Sequence, residues 1–257
     1  MNNFIYENKT KVYFGKGSVK EQLGNLLDRY GKTVMLAYGG GSIKRNGVYD
    51  EIMEILQEKQ KDVVEFSGIM SNPTYAKVQE GAKLAKENQV DLILAVGGGS
   101  VSDCCKVVSA QAKVDEDIWE MQTVKHVLPT AFIPLGTIVT VFGIGSEMNN
   151  GAVITNEEKK IKGAVWGAQA DFAFLDPAYA LSVPFKQVIS GAFDTLSHAM
   201  ETYFGKPDVN NLSDDLSEAV MRSVIRNIRV LLTDPENYEA RSELAWDSAM
   251  AENGILK

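Results

Sequence analysis

Apolar positions in the first part of the chain fall into short continuous runs separated by longer amphipathic stretches. The runs at 11–14, 33–38, 63–66, 90–96 and 131–135 are the length of strands and carry no alternating polar face, the pattern of strands buried on both sides. Between them the spacing predicts helices over 18–30, 47–61, 74–88 and 100–113. In the second of these Val48, Ile52, Ile55 and Leu56 share one face. Ser18 with Glu21 has the spacing of a capping box at the first helix start. Alternation of this kind predicts a doubly wound, mostly parallel sheet, since each parallel pair needs a crossover. After Phe172-Ala-Phe-Leu-Asp176-Pro177 the pattern changes: 188–203, 212–232 and 238–255 all read as helices, with no strand signal between them. The expected organisation is an α/β domain over 1–180 followed by an all-helical domain over 181–257. Three helices make a thin domain, so further chain beyond Lys257 is expected.

One stretch stands out, Leu92-Ile-Leu-Ala-Val-Gly97-Gly98-Gly99-Ser100-Val-Ser-Asp103. A buried strand runs into three glycines and then a helix, whose free N–H groups and positive dipole end favour an anion over the turn. The third glycine of the dinucleotide fingerprint is absent, and a glycine-rich turn without a ligand is the alternative. A second strand also ends in glycines, Gly39-Gly40-Gly41-Ser42. In a doubly wound sheet both turns lie at strand C-termini, where the ligand crevice forms.

The net charge of −8 and isoelectric point of 5.0 argue against nucleic acid or an anionic membrane as partner. No apolar run approaches the roughly 20 residues needed to span a bilayer, and the N-terminus lacks signal-peptide architecture. Cys104 and Cys105 are adjacent and build no disulfide framework, so a reduced thiol pair in a cytoplasmic protein is expected.

In the helical part Asp194 and His198 are four residues apart, within Gly191-Ala-Phe-Asp194-Thr-Leu-Ser-His198-Ala-Met-Glu201. That spacing puts both on one helix face, where a carboxylate oxygen and an imidazole nitrogen can share a divalent metal. An ordinary helical ion pair is the commoner meaning of the same spacing. Two ligands fall short of the three or four a stable site takes. The other histidine, His126, is expected on a solvated loop, and Glu201 is a possible further donor.

Gly97-Gly-Gly-Ser100-Val-Ser-Asp103, Gly145-Ser146-Glu147-Met-Asn149, Asp176-Pro177 and Gly191-x-x-Asp194-x-x-x-His198 occur in the order and spacing of the iron-dependent alcohol dehydrogenases. The chain resembles that family over its whole length, and most resembles its butanol dehydrogenase and aldehyde reductase branch. The resemblance implies hydride transfer between nicotinamide and a small aldehyde or alcohol in a cleft between the two domains. It implies a divalent metal, iron or zinc, held by one Asp and three His and acting as a Lewis acid. Asp194 and His198 match the first two ligands, and the two later histidines would lie beyond residue 257.

For the cofactor, the resemblance implies contacts from Gly40, Gly41, Ser42, Gly98, Gly99 and Ser100, with Asp103 holding the loop or the ribose. Thr137, Thr140, Asn72, Asn149, Lys162 and Tyr179 match further cofactor-flanking positions. It also implies a homodimer formed through an edge of the α/β domain. Two departures are visible: Ile144 replaces the family's usual Thr, and Val165-Trp-Gly-Ala-Gln169 is unusual. A ribose 2′-hydroxyl is held by a carboxylate that would repel a 2′-phosphate. Gly39–Ser42 offers no acid and is followed by Lys44 and Arg45, so NADP(H) is the expected cofactor. Two alternatives remain: a catalytically silent NADP-binding module without a whole metal site, and a same-fold glycerol dehydrogenase or dehydroquinate synthase-like enzyme.

Overall fold

The computed structural model describes residues 5–205 and 211–256. The chain runs β1 (Lys11–Phe14), α1 (Ser18–Leu27), β2 (Thr33–Tyr38), α2 (Ser42–Arg45), α3 (Val48–Glu58), β3 (Asp62–Phe66), α4 (Tyr75–Glu87), β4 (Leu92–Gly97), α5 (Gly99–Gln111) and α6 (Ile118–Thr123). It continues with β5 (Leu135–Val139), β6 (Gly151–Asn156), β7 (Ile161–Trp166) and β8 (Phe172–Leu175), then α7 (Phe185–Gly205), α8 (Leu212–Leu231) and α9 (Tyr238–Glu252). Six strands form one sheet in the order β1-β8-β5-β4-β2-β3, every pair parallel, and β6 and β7 form a separate antiparallel hairpin.

The continuous apolar runs of β2 and β4 follow from burial on both faces. Met35, Ala37, Ile93 and Ala95 point into the core that holds α4 and α5. Val34, Leu36, Leu92, Leu94 and Val96 point into the core that holds α1 and α3. Neighbouring strands β2 and β4 are thus followed by helices on opposite faces of the sheet. Their ends, Gly39–Gly41 and Gly97–Gly99, flank a topological switch point, where open α/β sheets leave a crevice. Helices α7, α8 and α9 pack around Ala199, Val220, Val224 and Leu231. Ala249 of α9 reaches the sheet at Val139, Ala173 and Leu175, which joins the helical part to the α/β part.

Two expectations need correction, and one element went unread. The strand placed at 131–135 lies at Leu135–Val139 instead. Pro134 O still accepts from Ile93 N of β4 (2.9 Å), but Ile133 bonds to α5: its N donates to Ser109 O (3.2 Å) and Ser109 Oγ donates to Ile133 O (2.6 Å). Ser18 does not cap α1. The cap is Gly17 in a left-handed conformation (φ 79°), its N–H donating to Asp176 Oδ2 across the sheet end (2.7 Å), and Ser18 is buried without a hydroxyl partner. The hairpin of β6 and β7 went unread because its outer face is exposed and its turn carries Glu157-Glu158-Lys159-Lys160, leaving no continuous apolar run. The adjacent thiols Cys104 and Cys105 are free and fully buried in α5. Burial pushes the Cys104 thiol up to about 12, so it is an inert core side chain. Among the described residues no helix is long and apolar enough to cross a membrane.

Candidate active site

The crevice at the switch point is walled on one side by the two glycine turns. Gly39, Gly40, Ser42, Gly98, Gly99, Ser100 and Thr140 line it, with Gln187, Ser190, Gly191 and Asp194 of α7 opposite. No side chain caps α5, whose cap residue is Gly98, so its first amides are left for a ligand. Gly99 is crowded from within. A Cβ there would fall 1.9 Å from Ile144 Cδ1, so Ile144 is a lid packed directly on the turn.

Ser100, Ile144 and Asp194 also line a second, wider hollow beside it, with Asn72, Asp103, Asn149, Lys162, Trp166, His198 and Glu252. Here Lys162 Nζ from β7 donates to Asn72 Oδ1 at 2.7 Å, which brings together two residues 90 apart in sequence. Asn72 sits in the left-handed region at φ 54°.

The wall behind the hollow rests on a group that sequence reasoning missed. Lys106 of α5 is fully buried, and its Nζ donates to Ser146 Oγ, Asn149 Oδ1 and Gly151 O, each at 2.8 Å. Desolvation lowers its pKa to about 8, against the opposing pull of Asp103, 3.7 Å away. Asp103 in turn accepts from Ser146 Oγ (2.5 Å) and Val153 N (2.9 Å). These bonds tie Asp103 to the segment that carries Ser146 and Val153, and it also lines the hollow. Asn149 is likewise a clasp: its Nδ2 donates to Glu252 O (3.2 Å) and lies 3.4 Å from Gly145 O. Glu147 beside it is fully buried, and desolvation raises its carboxyl pKa. Every residue from Val101 to Gln111 is buried, and in such a helix Asp103 and Lys106, three apart, must find partners inside.

The segment 140–149 that bridges the two halves is pinned from both. Thr195 Oγ1 of α7 donates to Gly143 O (3.0 Å), and Ser248 Oγ of α9 accepts from Gly143 N (2.8 Å) and Gly145 N (3.2 Å). Contact with α7 is so close that a Cβ on Gly191 would lie 2.3 Å from Phe142 O. Of the unusual stretch 165–169, Gly167 packs on the Lys106 backbone and Gln169 Nε2 donates to Asn8 Oδ1 (3.0 Å).

Three expected cofactor residues do not line the crevice or the hollow. Thr137 is fully buried in mid-strand between Ala95 and Ala173, its hydroxyl unpartnered. Tyr179 packs against the α1/α3 core and borders a separate hollow beside Asn46 and Glu51. Gly41 does not line the crevice; it takes φ 89° to turn the chain into α2. An acid also lies near the second turn, on a strand rather than in the loop. Glu65 of β3 accepts from Tyr38 and, at 2.6 Å, from Tyr49, and lies 3.3 Å from Lys44 Nζ. Hydrogen bonds from Tyr38, then Tyr49, hold its carboxyl below the usual range.

On the opposite wall Asp194 Oδ1 and His198 Nε2 of α7 are 3.9 Å apart, with side chains 51% and 29% exposed. That separation is too long for a hydrogen bond. Two donors at about 2.0–2.2 Å from one tetrahedral ion lie about 3.4 Å apart, so a small closing of the two side chains would bring them to one ion. His198 Nδ1 lies 3.1 Å from Glu252 Oε1, and this hydrogen bond raises the imidazole pKa against the effect of burial. Among the described residues no group of three or more His, Cys, Asp and Glu converges on one point. Glu252 faces the far edge of the ring. The donors present therefore fit as two ligands of a divalent ion. His126 lies on an exposed loop away from them.

A strand-end crevice on a parallel sheet, facing an Asp–His pair on a helical wall, defines the class. The chain belongs to the iron-containing alcohol dehydrogenase family: residues 9–177 match the family model of that description, and 188–256 match the family's C-terminal model. It is 40% identical over 258 residues to NADH-dependent butanol dehydrogenase A of Clostridium acetobutylicum, covering 100% of this chain and 66% of that one. It is 38% identical over 264 residues to the NADPH-dependent aldehyde reductase YqhD of Escherichia coli, again covering 100% and 66%. The crystal structure of NADH-dependent butanol dehydrogenase A from Thermotoga maritima superposes with a TM-score of 0.93 at 36% identity, covering 100% of this chain and 64% of that one. The chain thus spans about two-thirds of the length of the curated relatives it matches.

Proposed function

We propose that this chain carries the cofactor cleft and part of the metal site of an NADP(H)-dependent alcohol dehydrogenase or aldehyde reductase acting on small primary alcohols and aldehydes such as butanol and butanal. One observation carries the reading: the crevice at the glycine turns and the hollow at the Asp194–His198 pair adjoin, with Ser100, Ile144 and Asp194 lining both. Amides at the start of α5 favour the pyrophosphate. The Asn72–Lys162 pair offers a cation and amide donors to a ribose. Asp194 and His198 would hold the metal, and iron is the ion after which the family is named. When bound, such an ion polarises a carbonyl oxygen and stabilises the charge it gains on hydride transfer. The buried wall behind Ser146 and Asn149 excludes water from that side.

NADP(H) is supported by the absence of acid in Gly39–Ser42 and by exposed Arg45 behind it. A second reading, NAD(H), is favoured by Glu65, which draws Lys44 into an ion pair. Relatives named for each cofactor match at 40% and 38% identity. Titration of the chain with NADPH and with NADH, followed by tryptophan fluorescence, separates the two. NADPH is expected to bind roughly tenfold more tightly, about 1.4 kcal/mol, and Ser42→Asp to abolish the difference. Equal affinities that Ser42→Asp leaves unchanged would establish the second reading. By the same resemblance the chain is proposed to pair with a second copy through an edge of the sheet, which light scattering tests.

A further inference from the structure

We propose that Glu252 is the positioning residue that sets the tautomer of His198, taking the Nδ1 proton as a hydrogen bond so that bare Nε2 faces the ion shared with Asp194. The inference rests on the metal reading of Asp194 and His198 given above. A neutral imidazole carries one proton, and whichever nitrogen holds it cannot ligate. Three acidic groups surround the ring. Asp194 lies 3.9 Å from Nε2, Glu201 lies 4.0 Å from Nδ1 with its side chain 81% exposed, and Glu252 lies 3.1 Å from Nδ1 with its side chain 16% exposed. Only Glu252 combines hydrogen-bonding distance with shielding from water.

Its own position is fixed from the α/β side. Glu252 ends α9, and its carbonyl accepts from Asn149 Nδ2 (3.2 Å). Asn149 Oδ1 is held in turn by Lys106 Nζ (2.8 Å). The polar chain therefore runs from the helix behind the glycine turn, through Lys106, Asn149 and Glu252, to His198. A carboxylate behind a ligating histidine fixes the ring and raises its basicity, and losing such a partner typically costs about 10–100-fold in metal affinity.

Nitrogen-15 NMR of histidine-labelled chain tests this directly. The chain holds only two histidines, so exposed His126 serves as an internal reference. In alkaline, metal-free solution His198 is expected as the Nδ1–H tautomer and His126 as Nε2–H. Glu252→Leu is expected to return His198 to Nε2–H and to weaken anaerobic ferrous iron binding, read by calorimetry, by roughly 10–100-fold. Glu252→Gln, whose amide oxygen still accepts from Nδ1, is expected to keep the tautomer and most of the affinity; an unmoved His126 signal reports an intact fold. An Nε2–H His198 in the unsubstituted chain, or a Glu252→Leu variant unchanged in tautomer and affinity, overturns the proposal. So does iron loss in Glu252→Gln as complete as in Asp194→Ala, which would make Glu252 a ligand. If the unsubstituted chain binds no iron, two ligands alone do not hold the ion, and the tautomer measurement by itself decides whether Glu252 sets the ring.

Discussion

The two walls of the crevice handle charge in opposite ways. On the α/β wall Lys106 is fully buried, with all three of its N–H groups donated inside the protein. On the helical wall Asp194 and His198 stand half-exposed and 3.9 Å apart, joined by no direct hydrogen bond. The first arrangement spends its polar groups on holding a loop. The second leaves polar groups available to a ligand. Chemistry is therefore expected to reside on the helical wall and rigidity on the α/β wall, and substitutions should separate the two.

The largest expected effect is on the buried network. Lys106→Met shortens the side chain by one atom and removes its charge, leaving Asp103 buried without its cation and Ser146, Asn149 and Gly151 without their donor. Breaking a buried pair from one side costs about 3–5 kcal/mol, and urea unfolding is expected to show a loss of that size. A smaller loss would mean that water reaches Asp103 and that the wall is not the rigid one.

Next in size is Gly99→Ala. The new methyl would meet Ile144 Cδ1 at 1.9 Å, and overpacking of this kind costs about 1–3 kcal/mol. The clash is with the far end of a side chain, so Ile144→Ala is expected to recover most of the loss in the double variant. Additive losses in the cycle would place the strain in the turn's backbone instead.

How much of this was legible in the sequence differs between the walls for the same reason. Strands β2 and β4 were plain as apolar runs because both faces are buried, and their glycine ends followed directly. Asp194 and His198 were legible because one helix carries both, so spacing alone puts them together. Lys106 and Glu252 were not, because their roles depend on partners far along the chain: Lys106 meets Asn149 across 43 residues, and Glu252 meets Asn149 across 103. β5 was shifted by a local competition that periodicity does not record, Ile133 bonding to Ser109 of α5 rather than entering the sheet. Thr137 moved with it, from a loop position into a buried strand. Glu65 was overlooked as the acid near the second turn because it comes from a neighbouring strand rather than from the loop itself.

One buried charge on the helical side blurs the contrast and gives it a pH test. Asp247 of α9 is buried with Oδ2 unpartnered, and burial raises its pKa to about 6 despite a hydrogen bond from Ser223. Unfolded, the same carboxyl titrates near about 3.9. Between these values the folded chain keeps a proton that the unfolded chain has lost, so stability falls as pH rises through that window. Above about 6 the penalty is fully present. Asp247→Asn is expected to stabilise by about 1–2 kcal/mol at neutral pH, with the gain fading below the window. A gain that does not vary with pH would assign it to packing.

The smallest effect on stability is expected where the effect on binding is greatest. Asp194 has a side chain half in solvent, and its nearest basic partner is beyond hydrogen-bonding distance. Exposed substitutions of this kind stay within about 0.5 kcal/mol, so Asp194→Asn should leave the urea midpoint where it was. The amide replaces a charged oxygen donor with a neutral one, and ferrous iron affinity is expected to fall by more than the roughly 100-fold upper range for outer partners of a ligand. Lys106→Met should show the converse, a large loss of stability with iron still bound at temperatures where the chain is folded. If Asp194→Asn instead destabilised by several kcal/mol, the carboxylate would be structural, and the helical wall would be built on the same principle as the wall it faces.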